Sequence, residues 1–246
     1  DMPEEFFSIF AHVDYQVVDA AYAALENYVK RNRLDKHRYY KLGIRLYAVI
    51  IDHQRTDISS RMRLAHCYIQ IKELQRAESI YCEILELHPN KVAANNSLGY
   101  ICARRLKDEW KELEANDAEK KRLMEVCESS FKRAIELAEK DEDKSVCWTT
   151  LGLFLYRTMR NYQGSYNALQ EALKYQERAA IHSQLGMLCS NYHKDNSCFS
   201  IDKAKYHFER AISLLKSRDL GLLSVYIPYA NMYYCLGEYD KAIDLY

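Results

Sequence analysis

Apolar and small residues recur every three to four positions along nearly the whole chain, the spacing that lines one face of an α-helix. The clearest stretch is 58–91. There Leu64, Ala65 and Tyr68 share a face of one predicted helix, and Ala77, Tyr81 and Ile84 a face of the next. Pro89 closes the 34-residue unit. Small side chains at Ala65 and Ala77 allow the two helices to approach closely, while Tyr68 and Tyr81 fill the space toward neighbouring units.

The same register returns downstream. Leu98, Gly99 and Cys102 face Cys127, Phe131 and Ala134. Trp148, Leu151, Gly152 and Leu155 face Ser165, Leu169 and Ala172. Leu185, Gly186 and Cys189 face Ala204, Phe208 and Ala211. A fifth unit opens with Tyr226, Tyr229, Ala230 and Tyr233, begins its second helix at Ala242 and stops at Tyr246, as an excised fragment would. Upstream, Asp14–Asn32 has helical periodicity, and Gly43, Tyr47 and Ile50 stand where a second helix carries its small, aromatic and aliphatic contacts. The expected units are therefore 14–57, 58–91, 92–142, 145–178, 179–219 and an incomplete 223–246, in one array over 14–246. Residues 1–13, with Phe6, Phe7, Ile9 and Phe10, are read as an N-terminal cap or the remnant of a preceding domain.

This register resembles the tetratricopeptide repeat superfamily. The resemblance implies an all-α solenoid of antiparallel helix pairs wound into a right-handed superhelix. Composition points the same way, since three prolines and seven glycines leave little material for a β-rich fold. Between Gly99 and Cys127 lie 28 residues, against 12 between Ala65 and Ala77. The surplus predicts one repeat with an extended helical hairpin, each arm longer by about 12 Å at about 1.5 Å per residue. Its arms, RRLKDEWKELEANDAEKKR, read as a solvated, mixed-charge surface with Asp108 and Glu112 opposed by Lys107 and Lys111. Asn116 and Asp117 mark the bend, Asp117 as N-cap. Trp110 either packs across the hairpin or meets a partner.

Charge and cysteine content narrow the function. Lys plus Arg and Asp plus Glu are both 35, so no general excess of positive charge is available for nucleic acid. No apolar run approaches the ~20 residues that span a bilayer. Seven of the eight cysteines fall within predicted helices, which suits reduced thiols and a cytoplasmic or nuclear location. Cys189, His193 and Cys198 form the best metal constellation, but a fourth ligand is missing and Cys189 stands at a packing position, so no metal is assigned. Phosphate loops and nucleophile elbows are absent, and the chain is expected to be non-catalytic and free of cofactors.

The binding surface is projected from first-helix positions not used in packing: Met62, His66 and Gln70; Asn96, Tyr100 and Arg104; Thr149, Leu153 and Arg157; Ser183, Met187 and Asn191; then Ile227 and Asn231. Arg104 and Arg157 hold equivalent positions and could grip a carboxylate or phosphate. Tetratricopeptide domains that clamp acidic chaperone tails carry lysines, asparagines and an arginine where this chain has Met62, His66, Ser97, Val146 and Thr150, which argues against that ligand. A closer likeness is to the C-terminal half of the interferon-induced proteins with tetratricopeptide repeats. In that half a regular unit precedes one with a long insert, as SLGYICARR and SSFKRAIELAEK do here, and Arg63-Leu64-Ala65 resembles a run on its RNA-facing helix. Leu64 and Asn96-Ser97 depart from that family's pattern. Three readings follow: a module that holds a protein or peptide in a concave groove; an RNA-binding module of innate antiviral type using Arg63, Arg104, Tyr156 and Arg157; or the structural or sensor arm of a multidomain signalling protein.

Overall fold

The computed structural model describes residues 17, 18, 20–22, 24, 35–53, 57–191, 199–215 and 222–246. The predicted cap 1–13, and His193 and Cys198 of the metal constellation, lie outside the described residues. All regular structure within them is α-helical. The chain divides into two compact units, Asp1–Leu137 and Ala138–Tyr246.

The first unit holds α1 (Lys36–His53), α2 (Ile58–Gln70), α3 (Leu74–Leu87), α4 (Val92–Asp108), α5 (Trp110–Glu114) and α6 (Asp117–Leu137). The second holds α7 (Asp141–Arg157), α8 (Tyr162–Tyr175), α9 (Ala179–Asn191), α10 (Ile201–Ser213), α11 (Leu222–Cys235) and α12 (Tyr239–Leu245). Within each unit, helices adjacent in sequence fold back on one another as antiparallel hairpins, with α4 pairing with α6 across the short α5.

Small side chains make these pairs. Ala65, Ala77, Cys127, Ser165, Ala204 and Ala230 are wholly buried. A Cβ added to Gly99 would meet the Phe131 ring at 2.8 Å, one on Gly186 the Phe208 ring at 2.9 Å, and one on Gly152 the Leu169 Cγ at 2.9 Å. The partner helix also answers the glycine's carbonyl: the Cys127 thiol donates to the Gly99 oxygen at 3.4 Å, and the Ser165 hydroxyl to the Gly152 oxygen at 2.8 Å. Upstream, Gly43 on α1 meets Tyr22 and Cys67 in the same manner. Tyr22 stacks on Tyr39 at 4.4 Å, and with Val18, Tyr47 and Ile50 they form an aromatic-rich core.

Helix ends follow their local chemistry. Asp57 caps α2 by accepting from the Ser59 and Ser60 amides, Asn161 caps α8 and Ser200 caps α10. After α2 the chain turns through Lys72 at φ 66°, and after α11 through Gly237 at φ 79°. In both, two crossed backbone bonds close the end: Glu73 to Tyr68 with Lys72 to Ile69, and Glu238 to Tyr233 with Gly237 to Tyr234. Arg160, at φ 53°, serves after α7, one residue later in the register.

The long insert forms the expected hairpin, with two corrections. First, Asn116 is the cap of α6, accepting from the Glu119 amide at 3.1 Å, and Asp117 is already the first helical residue. Second, the charges are not simply solvated. The pairs that form on this arm are Arg104 with Asp108 and Arg105 with Glu109, and Arg105 is only 5% exposed. A break at Glu109 separates α4 from α5.

Candidate binding surfaces

In the first unit, α2 presents half-buried Met62 and His66 and exposed Gln70, and α4 presents half-buried Asn96 with Tyr100 and Arg104 one and two turns further on. The His66 ring lies edge-on to Tyr40 at 6.1 Å. Tyr100 is 39% exposed. The Arg104 guanidinium lies 6.0 Å from the Tyr100 ring and pairs with Asp108 at 3.2 Å. Its charge is therefore met within its own helix. Arg63 is exposed on α2.

In the second unit, Leu153 is half-buried and Arg157 exposed on α7, while the Thr149 hydroxyl donates to the Ser145 carbonyl at 2.7 Å on the same helix. Asn191 is exposed at the end of α9 and its amide donates to the Tyr156 hydroxyl at 3.5 Å. Half-buried Met187 packs against the cluster of Phe199, Phe208 and Tyr229. On α11, Ile227 is exposed and Asn231 accepts from the Tyr246 hydroxyl.

Ser183 is the projected groove residue that the structure removes. It is 4% exposed, and its hydroxyl donates to the Ser224 carbonyl at 3.3 Å. Pro228 explains this, because it sits inside α11 four residues after Ser224 and has no N–H to offer that carbonyl. Ser183 crosses from α9 to supply a donor.

Two polar clusters escaped the sequence reading. In the first unit, Glu78 on α3 is buried and receives Arg105 at 2.6 Å and Arg122 at 2.7 Å. Glu119 joins them, 3.1 Å from Arg105 and 2.7 Å from Arg122. The hydrogen bond from Arg122 is the largest cause that holds the Glu119 carboxyl down at about 2. In the second unit, His182 and His207 face each other with their Nδ1 atoms 2.9 Å apart, and His182 Nε2 lies 3.1 Å from Glu177. A cue existed for both clusters. Glu78 follows the packing residue Ala77, His182 precedes Gly186 by one helical turn, and His207 follows Ala204 by three residues, so all three polar side chains stand on packed faces.

Within the described residues no helix is long and apolar enough to cross a membrane, and no group of three or more His, Cys, Asp or Glu could hold a metal ion. No protein-family model matches the chain, and no curated protein matches it. Solved structures do. TTC0263, a thermophilic tetratricopeptide protein of Thermus thermophilus, is similar with a TM-score of 0.62 and 17% identity over 80% of this chain and 91% of that one. This chain has the tetratricopeptide fold. BtubC from P. vanneervenii is similar over 100% of this chain and 89% of its own, with a TM-score of 0.55 and 15% identity. Human IFIT1, solved as a dimer with PPP-AAAA, has a TM-score of 0.52 and 13% identity over 89% of this chain, which spans 55% of IFIT1. The likeness to the interferon-induced proteins is thus one of tetratricopeptide architecture.

Proposed function

We propose that the chain is a non-catalytic interaction module whose first-helix faces bind an extended segment of a partner protein. The observation that carries this reading is the Tyr100, Arg104 and Asp108 ladder on α4. It is an exposed aromatic beside a cation already neutralised by its own helix. Such a surface gains affinity from an apolar or aromatic side chain and from backbone hydrogen bonds, and little from a phosphate chain. In the second unit, Leu153 and Met187 are the corresponding apolar contacts, with Asn191 and Asn231 as polar neighbours.

The RNA reading is the runner-up, favoured by the exposed Arg63 and Arg157 and by a fold shared with a protein solved with PPP-AAAA. Panning a displayed peptide library against the purified chain separates the two. Selected peptides should bind with affinity that changes little between low and high salt. Tyr100→Ala should weaken peptides seated on the first unit by about 10-fold or more, a hot-spot loss. Tight binding of 5′-triphosphate RNA that falls steeply with salt and is lost in Arg104→Glu with Arg157→Glu would replace this proposal with the RNA one.

A further inference from the structure

His182 and His207 join α9 to α10 through one proton. Glu177, in the connection before α9, receives Arg210 at 2.7 Å through both carboxylate oxygens, and this pairing is the first cause that holds its carboxyl down at about 2. An ionised carboxylate only accepts, so His182 must place its hydrogen on Nε2, 3.1 Å from Glu177. Neutral His182 then offers a lone pair at Nδ1. His207 must carry its own proton on Nδ1 to donate across the 2.9 Å gap. The tautomers of both rings follow from Glu177.

A further proton has two places to go, and both are unfavourable. On His182 Nδ1 it would set two N–H groups head to head at 2.9 Å unless His207 moved its own hydrogen to Nε2, and the imidazolium would then sit in a side chain 3% exposed. On His207 Nε2 it would create an imidazolium in a side chain 5% exposed, with Lys203 and the His182 ring as the neighbours that oppose it. Tyr206 closes the cluster, its ring 6.3 Å from His182 and 5.1 Å from His207. Among the described residues the groups facing the pair are thus Glu177, Arg210, Lys203 and Tyr206; Glu177 favours a charged His182, but it is already bound to Arg210 through both oxygens.

We propose that the His182–His207 pair is a proton-controlled clasp that holds α9 against α10 at neutral pH and releases it on acidification. Burial pushes the His207 imidazole down to about 4 and is also the first cause lowering His182. A depressed histidine contributes stability that is present above the unfolded value of about 6.5 and is lost as pH falls toward its folded value. The affected window runs from about pH 6.5 to 4. Because α9 also carries Met187 and Asn191, release would alter the second unit's candidate surface. The clasp itself does not depend on what that surface binds.

The test is side-chain nitrogen NMR on the whole chain between pH 7.5 and 4.5, combined with amide hydrogen exchange. At pH 6 both rings should remain neutral, His182 as the Nε2–H and His207 as the Nδ1–H tautomer. Protection of α9 and α10 should fall roughly tenfold or more between pH 6 and 4.5, against little change in α7. Replacing both residues, His182→Phe with His207→Leu, should flatten that response. A charged ring at pH 6, the opposite tautomers, or protection that ignores pH in the native chain would overturn the clasp. So would a folded double variant that keeps the native acid response. The native-chain measurements decide the matter if the variant does not fold.

Discussion

Glu78 and Arg105 offer the sharpest test of how the long hairpin is held. Their side chains are 8% and 7% exposed and meet at 2.6 Å, with Arg122 on the second oxygen of Glu78 at 2.7 Å. Removing one partner of a buried pair costs about 3–5 kcal/mol, because the other charge stays desolvated. Here Arg105 retains Glu109 and Glu119, and Glu78 retains Arg122, so the low end applies. Glu78→Leu and Arg105→Met should each cost about 3 kcal/mol. The double replacement should also cost about 3 rather than 6, since an apolar pair removes the orphaned charge; the coupling is then about 3 kcal/mol. Trp110 lies next to Glu109 in the first unit and Trp148 lies in the second. Urea unfolding followed by fluorescence in a Trp148→Phe background therefore reports the first unit. With a slope of about 2 kcal/mol per molar urea, each single replacement moves the midpoint down by about 1.5 M. Additive losses, or single losses below about 0.5 kcal/mol, would refute the idea that this network roots the hairpin.

Three further outcomes follow from the packing. Gly99→Ala forces a Cβ to within 2.8 Å of the fully buried Phe131 ring and should cost about 1–3 kcal/mol by overpacking, measured by the same unfolding curve. Lys72→Gly should raise stability by a few tenths to about 1 kcal/mol, because a non-glycine residue is held at φ 66°; a lower melting temperature would contradict this. Ser183→Ala should cost about 1 kcal/mol, and less in a Pro228→Ala background, where the Ser224 carbonyl regains an N–H from its own helix.

The repeat register was legible because it rests on small residues facing each other, and a glycine or alanine in a row of larger apolar residues announces itself. Gly99, Gly152 and Gly186 each meet the partner helix from that register. The hairpin was legible as surplus length between two such contacts. The ion network was not, because Glu78 finds Arg105 27 residues later and Arg122 44 residues later, and nothing local marks those partners. Charges on a repeating face look solvated until a second arm lies over them. Ser183 failed as a surface residue for a similar reason: its place is decided by Pro228, on another helix. Arg104 shows the limit of counting cations, since Asp108 one turn on meets its charge.

The turn at Ala115 and Asn116 has a practical consequence. Both residues are exposed, and the contacts that define the repeat, Gly99 against Phe131 and Cys127, lie roughly three or more helical turns away on either side. A fluorophore or crosslinker attached to the side chain at Ala115 would ride at the tip of a braced hairpin, clear of the Gly99–Phe131 contact and of the Asn116 cap, and so could report on a partner's approach.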